Sequence, residues 1–200
     1  MREAIVVVGA SWGGLAALSE LMEGIPGDLP AAVVIVQHRS KDSESLLASL
    51  LQDHCRLPVA EVEDKDPIAS RRVYIAPPDY HLLVDGTTFS LSVDAPVKYS
   101  RPSIDVTFVS AADTYGPRAV GVVLTGANDD GSRGLRRIVD RGGAGIVQTP
   151  ETAEVATMPA AALRLVPEAT VLALAAIGPH VAQIAHAVAT APGARSGGPP

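Results

Sequence analysis

The sequence predicts an α/β protein with a three-layer, doubly wound and mostly parallel sheet and an attached antiparallel hairpin. Short apolar runs rich in β-branched residues alternate with segments of helical spacing, and this alternation is typical of βαβ units. The hairpin is indicated by residues 81–84 and 88–93. These two runs flank Asp85-Gly86, a dipeptide that favours two-residue hairpin turns.

The order of elements follows from the same patterns. Strands are predicted at 5–8, 32–36, 73–76, 119–124 and 145–148, and helices at 14–22, 43–52, 103–114, 132–141 and 158–163. Residues 171–177 either add a last strand or lead into a final helix at about 180–190. We therefore expect one domain over residues 1–191. The Pro- and Gly-rich residues 192–200 have too few apolar side chains to pack, so they are predicted to be a disordered tail.

Composition argues against several classes of protein. The formal net charge is −6 without a long basic run, which disfavours nucleic acid or an anionic membrane as the main partner. No charge-free apolar stretch reaches 18 residues, and the first residues lack the pattern of a signal peptide. The single cysteine, Cys55, excludes an internal disulfide and is typical of a reducing compartment. The prediction is a cytoplasmic protein without membrane insertion.

Ser11 lies in a turn that directly follows the first buried strand. The frame Gly9-Ala10-Ser11-Trp12-Gly13 joins that strand to a helix, as in a nucleophile elbow, where the serine hydroxyl projects from the strand end. A glycine-rich turn here is equally typical of a phosphate-binding loop, although the middle glycine of a dinucleotide fingerprint is absent. A purely structural tight turn is the third interpretation. This segment alone leaves the three open.

Polar residues also follow two other predicted strands. His38 comes after the second strand, and Asn128-Asp129-Asp130-Gly131 comes after the strand at 119–124. Because the carboxyl ends of parallel strands share one edge, serine, histidine and aspartate are expected to converge there. Nucleophile, base and orienting carboxylate are the requirement for acyl transfer. The order Ser…His…Asp differs from that of α/β-hydrolases.

Other interpretations of these residues stay open at this stage. Arg39 is placed to accept the 2′-phosphate of NADP, which would make the chain an oxidoreductase. A divalent-metal site at Asp129 and Asp130 lacks the ligand spacing of a known site. The remaining histidines compete with His38 for the role of base. They are His54, His81, His180 and His186.

Six short motifs then occur in a fixed order along the chain. They are Gly-Ala-Ser-Trp-Gly-Gly at 9–14, Val-Gln-His at 36–38, Tyr-Ile-Ala-Pro-Pro-Asp-Tyr-His at 74–81, Ser-Arg-Pro-Ser-Ile-Asp at 100–105, Leu-Thr-Gly-Ala-Asn-Asp-Asp-Gly at 124–131, and the segment 148–159 that ends in Met-Pro. Together they resemble the catalytic domain of the chemotaxis receptor protein-glutamate methylesterases (CheB type). The likeness covers about residues 4–190. Six motifs in the same order identify the family, whereas a single motif would not.

This resemblance implies Ser11 as nucleophile, His38 as general base and Asp130 as the carboxylate that orients the base. Asp130 matches rather than Asp129 because the aspartate of the family immediately precedes the glycine. The implied reaction is hydrolysis of glutamate γ-methyl esters on the cytoplasmic helices of methylated chemoreceptors, with glutamine deamidation as a further family activity. It requires neither a metal nor a cofactor. A non-catalytic signalling module and an NADP-binding oxidoreductase are the alternatives.

The resemblance also suggests residues around the nucleophile. The backbone N–H groups of Trp12 and Ala127 are the expected oxyanion donors, although the family more often has a small residue and a methionine at these positions. Arg101 is expected either to line the cleft and bind substrate or to form a structural salt bridge. Familiar members carry an N-terminal receiver domain. Since the first strand starts near residue 4, we expect no such regulator in this chain.

Overall fold

The computed structural model describes residues 3–40 and 46–191 of the chain. Its strands are β1 (Ala4–Ala10), β2 (Ala31–Gln37), β3 (Val59–Glu61), β4 (Arg72–Ile75), β5 (His81–Asp85), β6 (Thr88–Ser92), β7 (Ala119–Val123), β8 (Ala144–Gln148) and β9 (Thr170–Leu172). Its helices are α1 (Gly14–Glu23), α2 (Leu47–Gln52), α3 (Ile104–Tyr115), α4 (Ser132–Asp140), α5 (Thr157–Leu165) and α6 (Leu174–Thr190). The tail predicted at 192–200 and the helix start predicted at 43 lie outside the described residues.

Seven of these strands form one parallel sheet in the order β3-β4-β2-β1-β7-β8-β9. In this sheet Ile5 of β1 lies opposite Ala32 of β2 on one side and Ala119 of β7 on the other. The remaining strands, β5 and β6, pair antiparallel as a separate hairpin. The predicted fold class, a doubly wound parallel sheet with an attached hairpin, is confirmed.

The central strand β1 is buried along its whole length, and its side chains alternate between two cores. Val6 and Val8 pack on the face covered by α1, α2 and α6. Ile5 and Val7 pack on the opposite face, where α3, α4, α5 and the hairpin contribute side chains. This explains why the strand reads as a continuous apolar run: a parallel strand covered on both faces has no polar side. The result is a three-layer arrangement.

Two elements differ from the predicted pattern. Strand β3 was not predicted, because it has only three residues at the edge of the sheet and is too short for a periodicity signal. Helix α6 begins at Leu174, earlier than the predicted start at about residue 180. It contains Pro179, although proline is normally tolerated only in the first turn of a helix. No helix within the described residues is long and apolar enough to cross a membrane.

The strand order places the switch point of the sheet between β1 and β7. From β1 the chain proceeds to β2 on one side, whereas β7, β8 and β9 extend the sheet on the other. Ligand sites of open α/β sheets form at the carboxyl ends of the strands beside such a switch. The loops that follow β1, β2 and β7 therefore meet at one edge of the sheet.

The packing of α6 against the end of α1 depends on Gly178. A Cβ atom built at Gly178 would lie 2.7 Å from the carbonyl carbon of Gly24 and 2.9 Å from its Cα atom. These are backbone atoms, which cannot rotate away as a side chain does. Helix α6 therefore approaches this turn more closely than any residue with a side chain allows.

Replacing Gly178 by Ala should lower the free energy of unfolding by about 1–3 kcal/mol, because the helix must move away from the Gly24 backbone. Gly27→Ala is the matched control, since the nearest atom to a Cβ there is Arg56 Cβ at 3.5 Å. Urea denaturation of both variants measures the difference. Equal midpoints for Gly178→Ala and the unmodified chain would contradict the close packing described here.

Candidate active site

Ser11 lies at the carboxyl end of β1, in a turn held on both sides. Its N–H donates to the carbonyl of Thr125 at 3.0 Å, and its own carbonyl accepts from the Gly14 N–H at 2.9 Å. Gly13 has a φ of +74°, a left-handed conformation that only glycine adopts at little cost. Helix α1 begins at the next residue, Gly14. The strand-to-helix turn predicted from the sequence is therefore present, with the serine at its tip.

His38 follows β2, next to the Ser11 turn. Its N–H donates to the carbonyl of Ala10 at 3.0 Å, which continues the pairing of the two strands. The side-chain amide of Gln37 donates to the carbonyl of Ser11 at 2.8 Å and to that of His38 at 3.0 Å. Gln37 thus fixes the serine loop and the histidine loop relative to each other.

Asp130 lies in the turn that follows β7, and its side chain is fully buried at the N-terminus of α3. One oxygen, Oδ2, accepts from the Ile104 N–H at 2.7 Å. The other, Oδ1, accepts from the Asp105 N–H at 3.1 Å and from the Ser103 hydroxyl at 2.9 Å. Ser103 is also the N-cap residue of α3. The free N–H groups of a helix N-terminus are well suited to hold a carboxylate.

These donors determine the ionisation of Asp130. Burial by itself raises the pKa of a carboxyl group, because it removes the charged form from water. The hydrogen bonds from the His38 ring and from the N–H groups of Asp105 and Ile104 outweigh burial and hold the pKa of Asp130 below its usual value. The group is therefore a carboxylate at neutral pH.

The three side chains form a continuous series of contacts. Ser11 Oγ lies 3.2 Å from His38 Nδ1, and His38 Nε2 lies 2.8 Å from Asp130 Oδ2. Because Asp130 can only accept, Nε2 carries the proton and Nδ1 presents its lone pair to the serine hydroxyl. The two ring nitrogens are exchanged relative to chymotrypsin-type triads, where Nε2 faces the serine. The side chain of His38 is 11% exposed, so only its edge meets solvent.

The backbone N–H groups of Trp12 and Ala127 make no hydrogen bond within the described residues. Both peptides are nevertheless held in place by their surroundings. The Thr125 hydroxyl donates to the carbonyl of Trp12 at 2.9 Å, and Gly126, next to Ala127, bonds through its N–H to Val155 and through its carbonyl to Met158. The indole of Trp12 itself is exposed. These two N–H groups are therefore available to an anionic oxygen.

A cavity of about 440 Å³ opens beside His38. Arg101 contributes to its wall, with its guanidinium bonded to Asp79 at 2.6 Å and to the carbonyls of Val93 and Asp94. The structural salt bridge weighed for Arg101 is thus present, and the residue also lines the cavity beside His38. Its role in binding substrate stays a prediction.

Arg39 also lines this cavity, but its guanidinium points towards the sheet edge. It donates to Glu61 Oε2 at 2.6 Å and to the carbonyl of Ala76 at 3.0 Å. A residue that receives the 2′-phosphate of NADP must present its charge to the ligand, whereas this charge is already paired. The arrangement does not favour the oxidoreductase alternative.

The competing residues lie elsewhere. His54 pairs with Glu23, and His180 and His186 belong to α6. His81 is buried and accepts the Ser103 N–H, so it supports the N-terminus of α3 without reaching Ser11.

Sequence reasoning missed three supporting residues: Gln37, Ser103 and Lys98. Gln37 and Ser103 lie inside the quoted motifs, which is the signal that could have singled them out. Lys98 lies in no motif. Its ammonium group binds the side chain of Asp129 at 3.1 Å, so Asp129 faces away from the histidine that Asp130 contacts.

Comparisons with known proteins agree with this geometry. A protein of Leptospira interrogans, provisionally named a protein-glutamate methylesterase/protein-glutamine glutaminase, is 42% identical over 164 residues, which is 82% of this chain and 85% of the relative. A protein-glutamate methylesterase/protein-glutamine glutaminase of Anaeromyxobacter dehalogenans is 42% identical over 186 residues, 91% of this chain but 51% of the longer relative.

The solved structures give the same result. The crystal structure of the Thermotoga maritima CheB methylesterase catalytic domain superposes with a TM-score of 0.88 at 31% identity, covering 92% of this chain and 100% of that domain. None of these comparisons supports an oxidoreductase or a non-catalytic module. The family model described as CheB methylesterase matches residues 6–181, and the chain belongs to this family.

Proposed function

We propose that this chain hydrolyses γ-methyl esters of glutamate side chains, with Ser11 as nucleophile, His38 as general base and Asp130 as the orienting carboxylate. The observation that carries the proposal is the unbroken series of contacts from Ser11 Oγ through the imidazole to a buried carboxylate. Family membership supports the same reaction class. The products are a free glutamate side chain and methanol.

In the first half of the reaction, His38 Nδ1 accepts the proton of Ser11 Oγ as that oxygen attacks the ester carbonyl carbon. The carbonyl oxygen becomes an oxyanion, which the free N–H groups of Trp12 and Ala127 are suited to hold. The tetrahedral intermediate then breaks its bond to the methoxy oxygen. The proton on His38 passes to that oxygen, and methanol departs. The glutamyl group remains bound to Ser11 as an ester.

In the second half, water takes the place of methanol. His38 accepts a proton from the water, whose oxygen attacks the glutamyl-serine ester, and the same N–H groups hold the second oxyanion. Collapse returns the proton to Ser11 Oγ and releases glutamate. Throughout both halves Asp130 keeps the imidazole proton on Nε2 and stabilises the imidazolium ion that forms transiently.

The natural substrate in this proposal is a methylated chemoreceptor whose cytoplasmic helices carry the ester. The names of the relatives support the glutamate ester, and they add glutamine as a second substrate. Amide hydrolysis would follow the same steps with ammonia leaving in place of methanol. Arg101 at the cavity wall is the proposed contact for an acidic part of the receptor segment, through the guanidinium N–H that its internal bonds leave over.

Replacing Ser11 by Ala should abolish both methanol release from a peptide with one glutamate γ-methyl ester and labelling by a fluorophosphonate probe. We expect a loss of at least about 10³-fold, because the acyl-enzyme step has no other nucleophile. The matched control is Ser49→Ala, which removes an exposed hydroxyl bonded only to its own helix. Full turnover or labelling of Ser11→Ala would remove this residue from the mechanism.

Asp130→Asn should lower kcat by about 10²–10⁴-fold, whereas Asp129→Asn should lower it by less than about fivefold. An amide at position 130 presents N–H groups to His38 Nε2 and so drives the imidazole proton to Nδ1, where it blocks the base. Asp129 instead is exposed and bonded to Lys98. Circular dichroism of both variants verifies folding. Similar losses, or a larger loss for Asp129→Asn, would show that the wrong aspartate has been assigned.

A further inference from the structure

A strained turn lies beside the active site in the segment 93–102, which we call the strap. Val97 and Ser100 exchange two backbone hydrogen bonds, of 3.1 and 2.9 Å, and so close a two-residue hairpin turn. The two central residues, Lys98 and Tyr99, have φ of +49° and +64°. Glycine and asparagine normally occupy such positions, because larger side chains are strained there. Strain of this kind persists where the surrounding structure imposes it, often at functional sites.

The strained conformation directs Lys98 inwards, onto the turn that carries Asp130. Its ammonium group donates to the carbonyl of Asp129 at 3.0 Å and contacts the carboxylate of the same residue at 3.1 Å. A third contact, of 3.2 Å, reaches Asp105 Oδ2 on α3. The Lys98 side chain is 21% exposed, so these contacts are only partly screened by water. Lys98 thus connects the strap to α3 and to the turn that carries Asp129 and Asp130, which we call the aspartate turn.

Three acidic side chains lie close together around Lys98, and its positive charge offsets part of their negative charge. Asp105 is buried beside Asp130, and its N–H donates to Asp130 Oδ1. Burial raises the pKa of Asp105, and the nearby Asp130 charge raises it further, while the Gly134 N–H and Lys98 act in the opposite direction. Asp105, Asp129 and Asp130 place three carboxyl groups around this turn, and Lys98 is the cation that contacts two of them.

We propose that Lys98 is a positioning residue of this active site: it fixes the turn that carries Asp130 and balances the charge of the carboxylates beside it. The inference rests on the proposed esterase function. Lys98 touches neither Ser11 nor His38, and it acts on the imidazole only through the aspartate turn and through its charge.

The sign of its electrostatic effect on His38 follows from the surrounding charges. The titratable and charged groups around the imidazole come from the turn that carries Asp130, from α3, from the strap and from the loops after β2 and β4. Asp130 contacts the ring itself, and four groups line the cavity beside it: Arg39 (paired with Glu61), Asp79, Tyr99 and Arg101. Behind Asp130 lie Asp105 and Asp129, both bonded to Lys98. Removing Lys98 makes this environment more negative. A more negative environment favours the imidazolium ion, which cannot act as a base.

The test measures the rate of fluorophosphonate labelling and the kcat for a glutamate γ-methyl ester peptide as functions of pH. Lys98→Met should lower kcat about tenfold, with KM changed less than about threefold, and should move the acidic limb of both profiles up by about half a pH unit. In Lys98→Arg the acidic limb should stay where it is in the unmodified chain, because arginine retains the positive charge. Lys98→Gln should shift it as Met does while keeping a donor for the Asp129 carbonyl.

Lys65→Met is the matched control, because Lys65 also has a positive φ, of +69°, and its ammonium group donates to the Ser90 hydroxyl on the hairpin. Its acidic limb should not move. An unshifted limb in Lys98→Met and Lys98→Gln, or an equal shift in Lys98→Arg or Lys65→Met, would overturn the proposal even where stability falls. Because Ser11→Ala reports on the esterase function separately, loss of labelling there with an unshifted Lys98 profile would refute the positioning role alone.

Discussion

The arrangement of this site depends on one buried carboxylate at the N-terminus of a helix. Removing a carboxylate from water costs several kcal/mol unless donors replace the lost hydration. The Asp130 carboxylate accepts hydrogen bonds from the first N–H groups of α3, from the Ser103 hydroxyl, from the Gly131 N–H and from His38, and these replace the bonds to water. Most of these donors belong to the backbone and cannot turn away. The position of α3 therefore sets the position of the carboxylate, and the carboxylate in turn orients the imidazole.

The sheet supplies the other half of the geometry. Ser11 and His38 follow neighbouring parallel strands, so their separation is set by the spacing of β1 and β2 and is then fixed by the amide of Gln37. The turn that carries Asp130 follows β7, on the other side of β1. Because α3 packs across β1 through Ile104, the helix that anchors the carboxylate is tied to the strand that carries the nucleophile.

The sequence was sufficient for the fold class and for the convergence of the three side chains, because both follow from local patterns. A continuous apolar run predicts a covered parallel strand, and a polar residue directly after it predicts its place at the edge of the sheet. The bonds from Gln37 to Ser11, from Ser103 to Asp130 and from Lys98 to Asp129 join segments that are more than 20 residues apart, so no local pattern predicts them. Strand β3 was missed because three residues at an edge carry too little periodicity.

Burial decreases along the series of contacts, from Asp130 to His38 and Ser11. The Asp130 side chain is fully buried and His38 is almost covered, whereas Trp12, beside the nucleophile, is 67% exposed. The low dielectric around Asp130 strengthens its hold on the imidazole, because electrostatic interactions weaken in water. Ser11 itself is half-buried, between the covered imidazole and the exposed Trp12. The nucleophile is therefore partly accessible to solvent, while the carboxylate that orients the base is withdrawn from it.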